Sequence, residues 1–358
     1  MFPRVARSSR SHFPLLFLLL FAPLASPVRA QTKPWPVKIV ILATFERGED
    51  TGDQPGEFQF WVEREHLDEK LDFPGGERPL RSNADHSVIG IVTGTTLVNA
   101  GASVMALGLD PRFDLTHAYW LMNGIAGVNP EVASLGSAAW ATYVVNDVAR
   151  EVDPREAPAD WPYGLFAIGA LRPNTLPDQP LVASDRIGAY ELNAALANWA
   201  FQLTQSLKLE DTPEMQAARS HWQGFPDAQR PPFVLKGDSF ASDYYWGGRI
   251  MTQYADDWVK LWTNGKGTFV MTEMEDSAVA EALRRLTAMH RADFRRLMVL
   301  RTGSDYCMQP PGESAVGNVT APYPGYIPAL ESAYAVGSTV IHALLADWPK
   351  YADHVPGD

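Results

Sequence analysis

Residues 37–45, VKIVILATF, form a nearly unbroken apolar run rich in β-branched side chains. Such a run suits a strand buried on both faces, a condition met when helices cover a sheet above and below. Similar runs recur at 88–92, 118–122, 138–145, 233–235, 268–271 and 297–300. Between them lie segments with apolar residues at helical spacing: 98–108, 187–205, 248–262, 274–290 and 329–346. This alternation predicts an α/β chain with a mainly parallel or mixed central sheet flanked by helices on both faces. The last helix is expected to pack its apolar face on the sheet.

Sheets of this kind place ligands at the carboxyl ends of their strands. The segments following the strands, 46–50, 93–96, 123–127, 237–241, 273–276 and 301–305, are therefore the candidate site. Each also admits a purely structural explanation. Gly94, Gly124 and Gly127 suit turns with positive φ. Thr272 and Glu275 have the spacing of a helix capping box. Asp305 fits any turn, and Glu46, Glu49 and Asp50 could form a solvated charge cluster.

The amino terminus carries Arg4, Arg7 and Arg10, an apolar run over 13–24, and the small-residue exit Val28, Arg29, Ala30. This is the three-part pattern of a secretory signal, so residues 1–30 are expected to be removed and the product exported, to a periplasm or to the exterior. The run is short of the roughly 20 apolar residues of a membrane span, and no comparable run follows. Residues 31–358 are expected to form one domain with insertions, the Pro-rich stretches 151–162, 171–180 and 225–232 being surface connections. Loss of the leader removes four arginines and no acid, taking the formal charge from −12 to −16. So acidic a surface argues against nucleic acid as a partner.

The single cysteine, Cys307, offers neither an internal disulfide nor a thiolate metal site. The eight histidines show no metal-ligand spacing. A GxGxxG fingerprint after a strand, a P-loop and a GxSxG elbow are all absent.

Taken in order, VTGTTLVNAGASVMALGLDPRFD, YWLMNGIAGVNPEVASLGSAAWATYVV, KGDSF, TEMEDSAVAEAL and VLRTGSDY resemble the nucleoside phosphorylases and, more closely, the methylthioadenosine/S-adenosylhomocysteine nucleosidases. With FERGEDTGDQPGEF, RPPFVLKGDSF and RTGSDYCMQPPG, the whole mature chain resembles the purine nucleoside permease family. The resemblance implies a three-layer nucleoside phosphorylase-like α/β fold and a purine nucleoside (adenosine, guanosine or inosine) as ligand. It also implies a homo-oligomer whose neighbour completes the pocket.

Carried over by that resemblance, Met274 packs on the sugar and Glu275 accepts its hydroxyls. Phe240 stacks on the purine, while Ala126 and Gly127 line the site by close backbone approach. Tyr245 and Trp246 follow closely enough to add contacts. Asp305, with Arg301 and Ser304 beside it, matches the acid that protonates the departing base, a role that requires a raised pKa and a dry pocket. The base that activates water falls on Glu46 or Glu49, with Glu49 favoured.

No cofactor is implied, and phosphate enters only as a candidate co-substrate. Thr93, Gly94, Thr95 and Thr96 offer hydroxyls and amides, but Arg47 is the only cation on the first loop, which favours water over phosphate as nucleophile. The competing reading is a capture protein that binds nucleosides for uptake. It needs Phe240, Met274 and Glu275 but neither Asp305 nor Glu49.

Overall fold

Along the strand Ile39–Ala43, successive side chains point to opposite sides of the sheet. Val40 and Leu42 enter one core with Ile91, Trp120 and Met122, closed by Val104 and Leu107 of the helix Thr96–Leu109 and by Val279 and Leu283 of the helix Asp276–Ala288. Ile39 and Ile41 enter the other with Val88, Tyr119 and Leu121. There Leu196 and Ala200 of the helix Ala194–Thr204, and Val336, Val340 and Leu344 of the helix Tyr326–Ala346, form the cover. A run apolar on every residue thus has a dry partner on each face, and three layers result. Each fully buried Leu or Ile adds about 1.5–3 kcal/mol to that packing.

The computed structural model describes residues 33–177 and 188–357. The leader expected at 1–30, Ile187 at the start of one expected helix, and the last residues of the 171–180 stretch lie outside them.

The sheet runs, edge to edge, Ala189–Glu191, Tyr143–Asn146, Asp238–Ala241, Phe269–Glu273, Tyr119–Val128, Ile39–Ala43, Val88–Val92, Leu80–Ser82 and Glu69–Leu71. It is mixed: Ile39–Ala43 lies parallel to Val88–Val92 and Tyr119–Val128, whereas Phe269–Glu273 is antiparallel to Tyr119–Val128. Leu297–Tyr306 pairs in parallel with Tyr119–Val128 and continues the sheet towards Ala138–Trp140 and Val234–Lys236.

Two expected elements divide. The apolar run 138–145 breaks between Ala138–Trp140 and Tyr143–Asn146. At the corner, Asp238 Oδ1 accepts the amides of Thr142 and Tyr143, and the chain changes partner from Leu297–Tyr306 to Asp238–Ala241. The expected helix 187–205 begins as the strand Ala189–Glu191; its helical part starts only after Asn193, whose side chain accepts the amides of Ala195 and Leu196 as an N-cap.

Two strands run longer than their apolar cores. Tyr119–Val128 and Leu297–Tyr306 each span 10 residues, carrying Asn123, Arg301, Ser304 and Asp305 in strand geometry at their carboxyl ends. The helix Tyr326–Ala346 is, among the described residues, the one long and apolar enough to cross a membrane by length and composition. Here it packs on the sheet, and its Ala329 and Ala333 carbonyls accept hydrogen bonds from Thr302 Oγ1 and Asn123 Nδ2.

Candidate functional site

The carboxyl ends of five strands converge on one cavity of about 280 Å³, a volume suited to a single small ligand. Thr44 and Phe45 arrive from the first strand, Thr95 from the turn after Val88–Val92, and Ile125, Ala126 and Gly127 from the long central strand. Thr272 to Glu275 and Arg301, Ser304 and Asp305 close two sides. Tyr244, Tyr245, Trp246, Tyr323 and Tyr326 supply an aromatic rim, with the Arg47 guanidinium 4.3 Å from the Tyr326 ring.

One wall is ionic. Arg301, only 2% exposed, lies 2.7 Å from Asp276, 3.0 Å from Glu275, 3.5 Å from Glu273 and 3.8 Å from Glu57. Four buried carboxyl groups around one cation leave an excess of negative charge, which such a site relieves by holding protons. Burial pushes the Glu275 carboxyl up against the pull of Arg301. Burial and the neighbouring Asp276 raise Glu273. Burial would lower Arg301, but its carboxylates hold it well above its ordinary value.

Glu57 reaches this wall from a loop. Its Oε2 accepts the Thr44 amide and hydroxyl, each at 2.7 Å, and its Oε1 accepts the Ile125 amide at 2.7 Å. Burial nevertheless pushes its pKa up to about 7. Gly124 makes room for it, because a Cβ there would lie 2.4 Å from Glu57 Oε1 and 2.6 Å from Arg301 Nη1. The loop is pinned by Glu46, whose carboxylate accepts the amides of Gly56, Phe58 and Gln59, and by Asp50, which is gripped by Arg78 and Arg81.

Asp305 lies where the strand Leu297–Tyr306 shifts register between Gly303 and Asp305. It is 8% exposed, and burial raises its pKa although Tyr245 and Ser304 both donate hydrogen bonds to it. The cavity thus holds two carboxyl groups, Glu57 and Asp305, that burial makes harder to ionise, together with Glu275, which can accept hydrogen bonds from a polyol.

The helix Thr96–Leu109 opens towards the same cavity, but its first two amides are already engaged. Thr96 N–H donates to Glu275 Oε1 at 3.1 Å and Leu97 N–H to Asp243 Oδ1 at 3.1 Å. Thr96 adopts φ +77°, a strained value for a β-branched residue, and so aims its amide at the carboxylate. Glu77 stands beside Gly94, its Oε2 2.5 Å from where a Cβ would be.

Residues 36–356 match the family model described as purine nucleoside permease. A Candida albicans protein named "Purine nucleoside permease" is 32% identical over 277 residues, 76% of this chain and 67% of that protein. A Schizosaccharomyces pombe protein named "Probable purine nucleoside permease" is 30% identical over 285 residues, 74% of this chain and 78% of its own. The chain belongs to the purine nucleoside permease family.

Its fold is that of the nucleosidases. The 5′-methylthioadenosine/S-adenosylhomocysteine nucleosidases of Streptococcus pneumoniae and Neisseria meningitidis superpose with TM-scores of 0.51 and 0.50, at 17% and 15% identity. Each alignment covers 86% of this chain and 100% of the nucleosidase. This purine nucleoside permease family member therefore has the three-layer nucleoside phosphorylase-like fold expected from its sequence.

Of the residues singled out in the sequence, Asp305, Ser304, Arg301, Glu275, Met274, Ala126, Gly127 and Thr95 all line the cavity, as do Tyr245 and Trp246. Two do not. Glu49 lies exposed on the first loop, its amide bonded to Asp53, and is no wall of the cavity. The carboxylate of this segment that does line the cavity is Glu57, further along FERGEDTGDQPGEF, where the folded loop returns it to Thr44. Glu46, the other sequence candidate, is spent on holding that loop.

Phe240 is fully buried, in edge contact with Trp246, Tyr254 and Phe269. Strand alternation explains the miss. In Asp238–Ala241 it is Ser239 that points at the ionic wall, donating to Glu273 and Asp276, so Phe240 faces the helix Arg249–Trp262 behind the sheet. The aromatics that line the cavity from this segment are instead Tyr244, Tyr245 and Trp246, four to six residues further on. The capping box of Thr272 and Glu275 is absent too: Thr272 stays in its strand and Glu275 is itself the N-cap. Of the three glycines, only Gly94 has positive φ.

Proposed function

We propose that this protein cleaves the N-glycosidic bond of purine nucleosides with water as the nucleophile, and does so after export. The observation that carries the reading is the pair of buried carboxyl groups, Glu57 and Asp305, both raised in pKa by burial and both lining one cavity. The names of its relatives supply the ligand class, purine nucleosides, and the nucleosidase neighbours supply the reaction class. The leader pattern at 1–30 supplies the export.

In this reaction the purine lies among the rim aromatics, where stacking suits a flat base. Glu275 accepts the ribose hydroxyls and Met274 packs on the sugar. Asp305, protonated, supplies the proton that the base needs as the C1′–N9 electron pair moves onto the ring, a contribution of about 10²–10⁴-fold. Glu57, ionised, takes a proton from the water that attacks C1′. Positive charge developing on the sugar is stabilised by the surplus of carboxylates around Arg301.

The same surplus disfavours phosphate. The first two helix amides are taken by Glu275 and Asp243, and Glu77 adds a further negative charge. Arg47 is the remaining cation of the lining, since Arg301 is engaged by four acids.

Glu57→Gln and Asp305→Asn test this reading together. Both should bind inosine close to the wild-type Kd yet release hypoxanthine at least about a hundredfold more slowly. Full turnover in either variant contradicts the assigned role.

A further inference from the structure

Both oxygens of Asp305 are already occupied by hydroxyl groups. Ser304 Oγ donates to Oδ1 at 2.8 Å, and Tyr245 Oη donates to Oδ2 at 2.8 Å. Ser304 also reaches the Ala126 carbonyl at 3.2 Å and is 1% exposed, so it is fixed in the wall. Tyr245 differs. It is 42% exposed against 8% for Asp305, and it lines the cavity. Its ring stacks on Tyr323, with centroids 6.2 Å apart and planes 19° apart.

From this arrangement we infer that Tyr245 is a catalytic residue: its hydroxyl relays the proton of Asp305 to the departing purine. The inference rests on the cleavage reaction proposed above. Protonated Asp305 donates from Oδ2 to Tyr245 Oη, while the Tyr245 O–H turns to a ring nitrogen of the purine. As the C1′–N9 bond breaks and its electron pair moves onto the base, the purine gains the tyrosine proton. Tyr245 regains one from Asp305, and Asp305 is left as a carboxylate. Tyrosinate need never accumulate, which matters because burial and Asp305 both hold the Tyr245 hydroxyl well above its ordinary pKa. A hydroxyl that accepts one proton as it gives up another suits this task, and the stack on Tyr323 holds the ring in place while the O–H rotates.

The experiment compares inosine with 7-methylinosine, whose quaternised base leaves without protonation, in wild type, Tyr245→Phe and Asp305→Asn. Phe keeps the ring and its stack on Tyr323. Tyr245→Phe and Asp305→Asn are each expected to lower kcat on inosine by about a hundredfold or more and to lose far less on 7-methylinosine. Equal losses of Tyr245→Phe on both substrates would make Tyr245 a structural or binding residue and overturn the relay. Near wild-type turnover of inosine by Tyr245→Phe would overturn it as well, assigning direct transfer to Asp305. A wild-type protein that cleaves neither substrate rejects the underlying cleavage reaction, an outcome distinct from failure of the relay alone.

Discussion

Arg301 Nη2 lies 3.0 Å from Glu275 Oε2, and the same guanidinium is the common counter-charge of three further buried acids. Removing it leaves those charges without a partner in a dry wall. Arg301→Met is expected to cost about 3–5 kcal/mol of stability at alkaline pH. The deficit should shrink in acid, where the carboxyl groups protonate. Urea denaturation at two pH values measures both effects.

Glu57 makes the pH dependence specific. Its carboxyl must be ionised to accept a proton from water, so turnover should rise with pH through about 7, and Glu57→Gln should abolish that limb. The stability effect has the opposite sense. The folded state holds this proton more tightly than the unfolded chain, so the stabilising contribution is full below about 4.5 and is lost as pH rises through about 7. Compared with wild type, Glu57→Gln should therefore gain relative stability between acid and alkaline pH, as thermal melts across that range would show.

Phe240 should behave as core. Phe240→Ala is expected to lose about 3–5 kcal/mol of stability. Phe240→Leu, which refills most of the space, should keep the wild-type preference among adenosine, guanosine and inosine. A changed preference in the Leu variant would mean that the ring does meet the base.

Glu49→Gln should leave kcat/KM unchanged, because the side chain is exposed and outside the cavity wall. Steady-state kinetics beside Glu57→Gln make the contrast between the two acids of this loop direct.

What the sequence could convey was whatever follows from local periodicity and from order along the chain. Residues 37–45 announced a doubly buried strand, and Val88–Val92 was bounded correctly because its apolar run coincides with its pairing. RTGSD and EMED pointed to the cavity because each directly follows the apolar part of a strand. Glu57 was hidden because its position depends on loop closure: 13 residues separate it from Thr44, and only the bonds of Glu46 and Asp50 bring it back. Phe240 was misplaced by one step of strand alternation, which only the Ser239 contacts reveal. The occupied amides of Thr96 and Leu97 join residues far apart in sequence, so no local pattern could have shown them.

Cleavage by water leaves a distinctive set of products. Purified protein lacking residues 1–30 is incubated with inosine, adenosine and guanosine in phosphate-free buffer, and again with millimolar phosphate, and the products are separated by chromatography. Free base and ribose are expected in equal amounts, at a rate that phosphate leaves unchanged. Intact nucleoside recovered from a tightly bound complex, or ribose 1-phosphate formed only when phosphate is present, would contradict it.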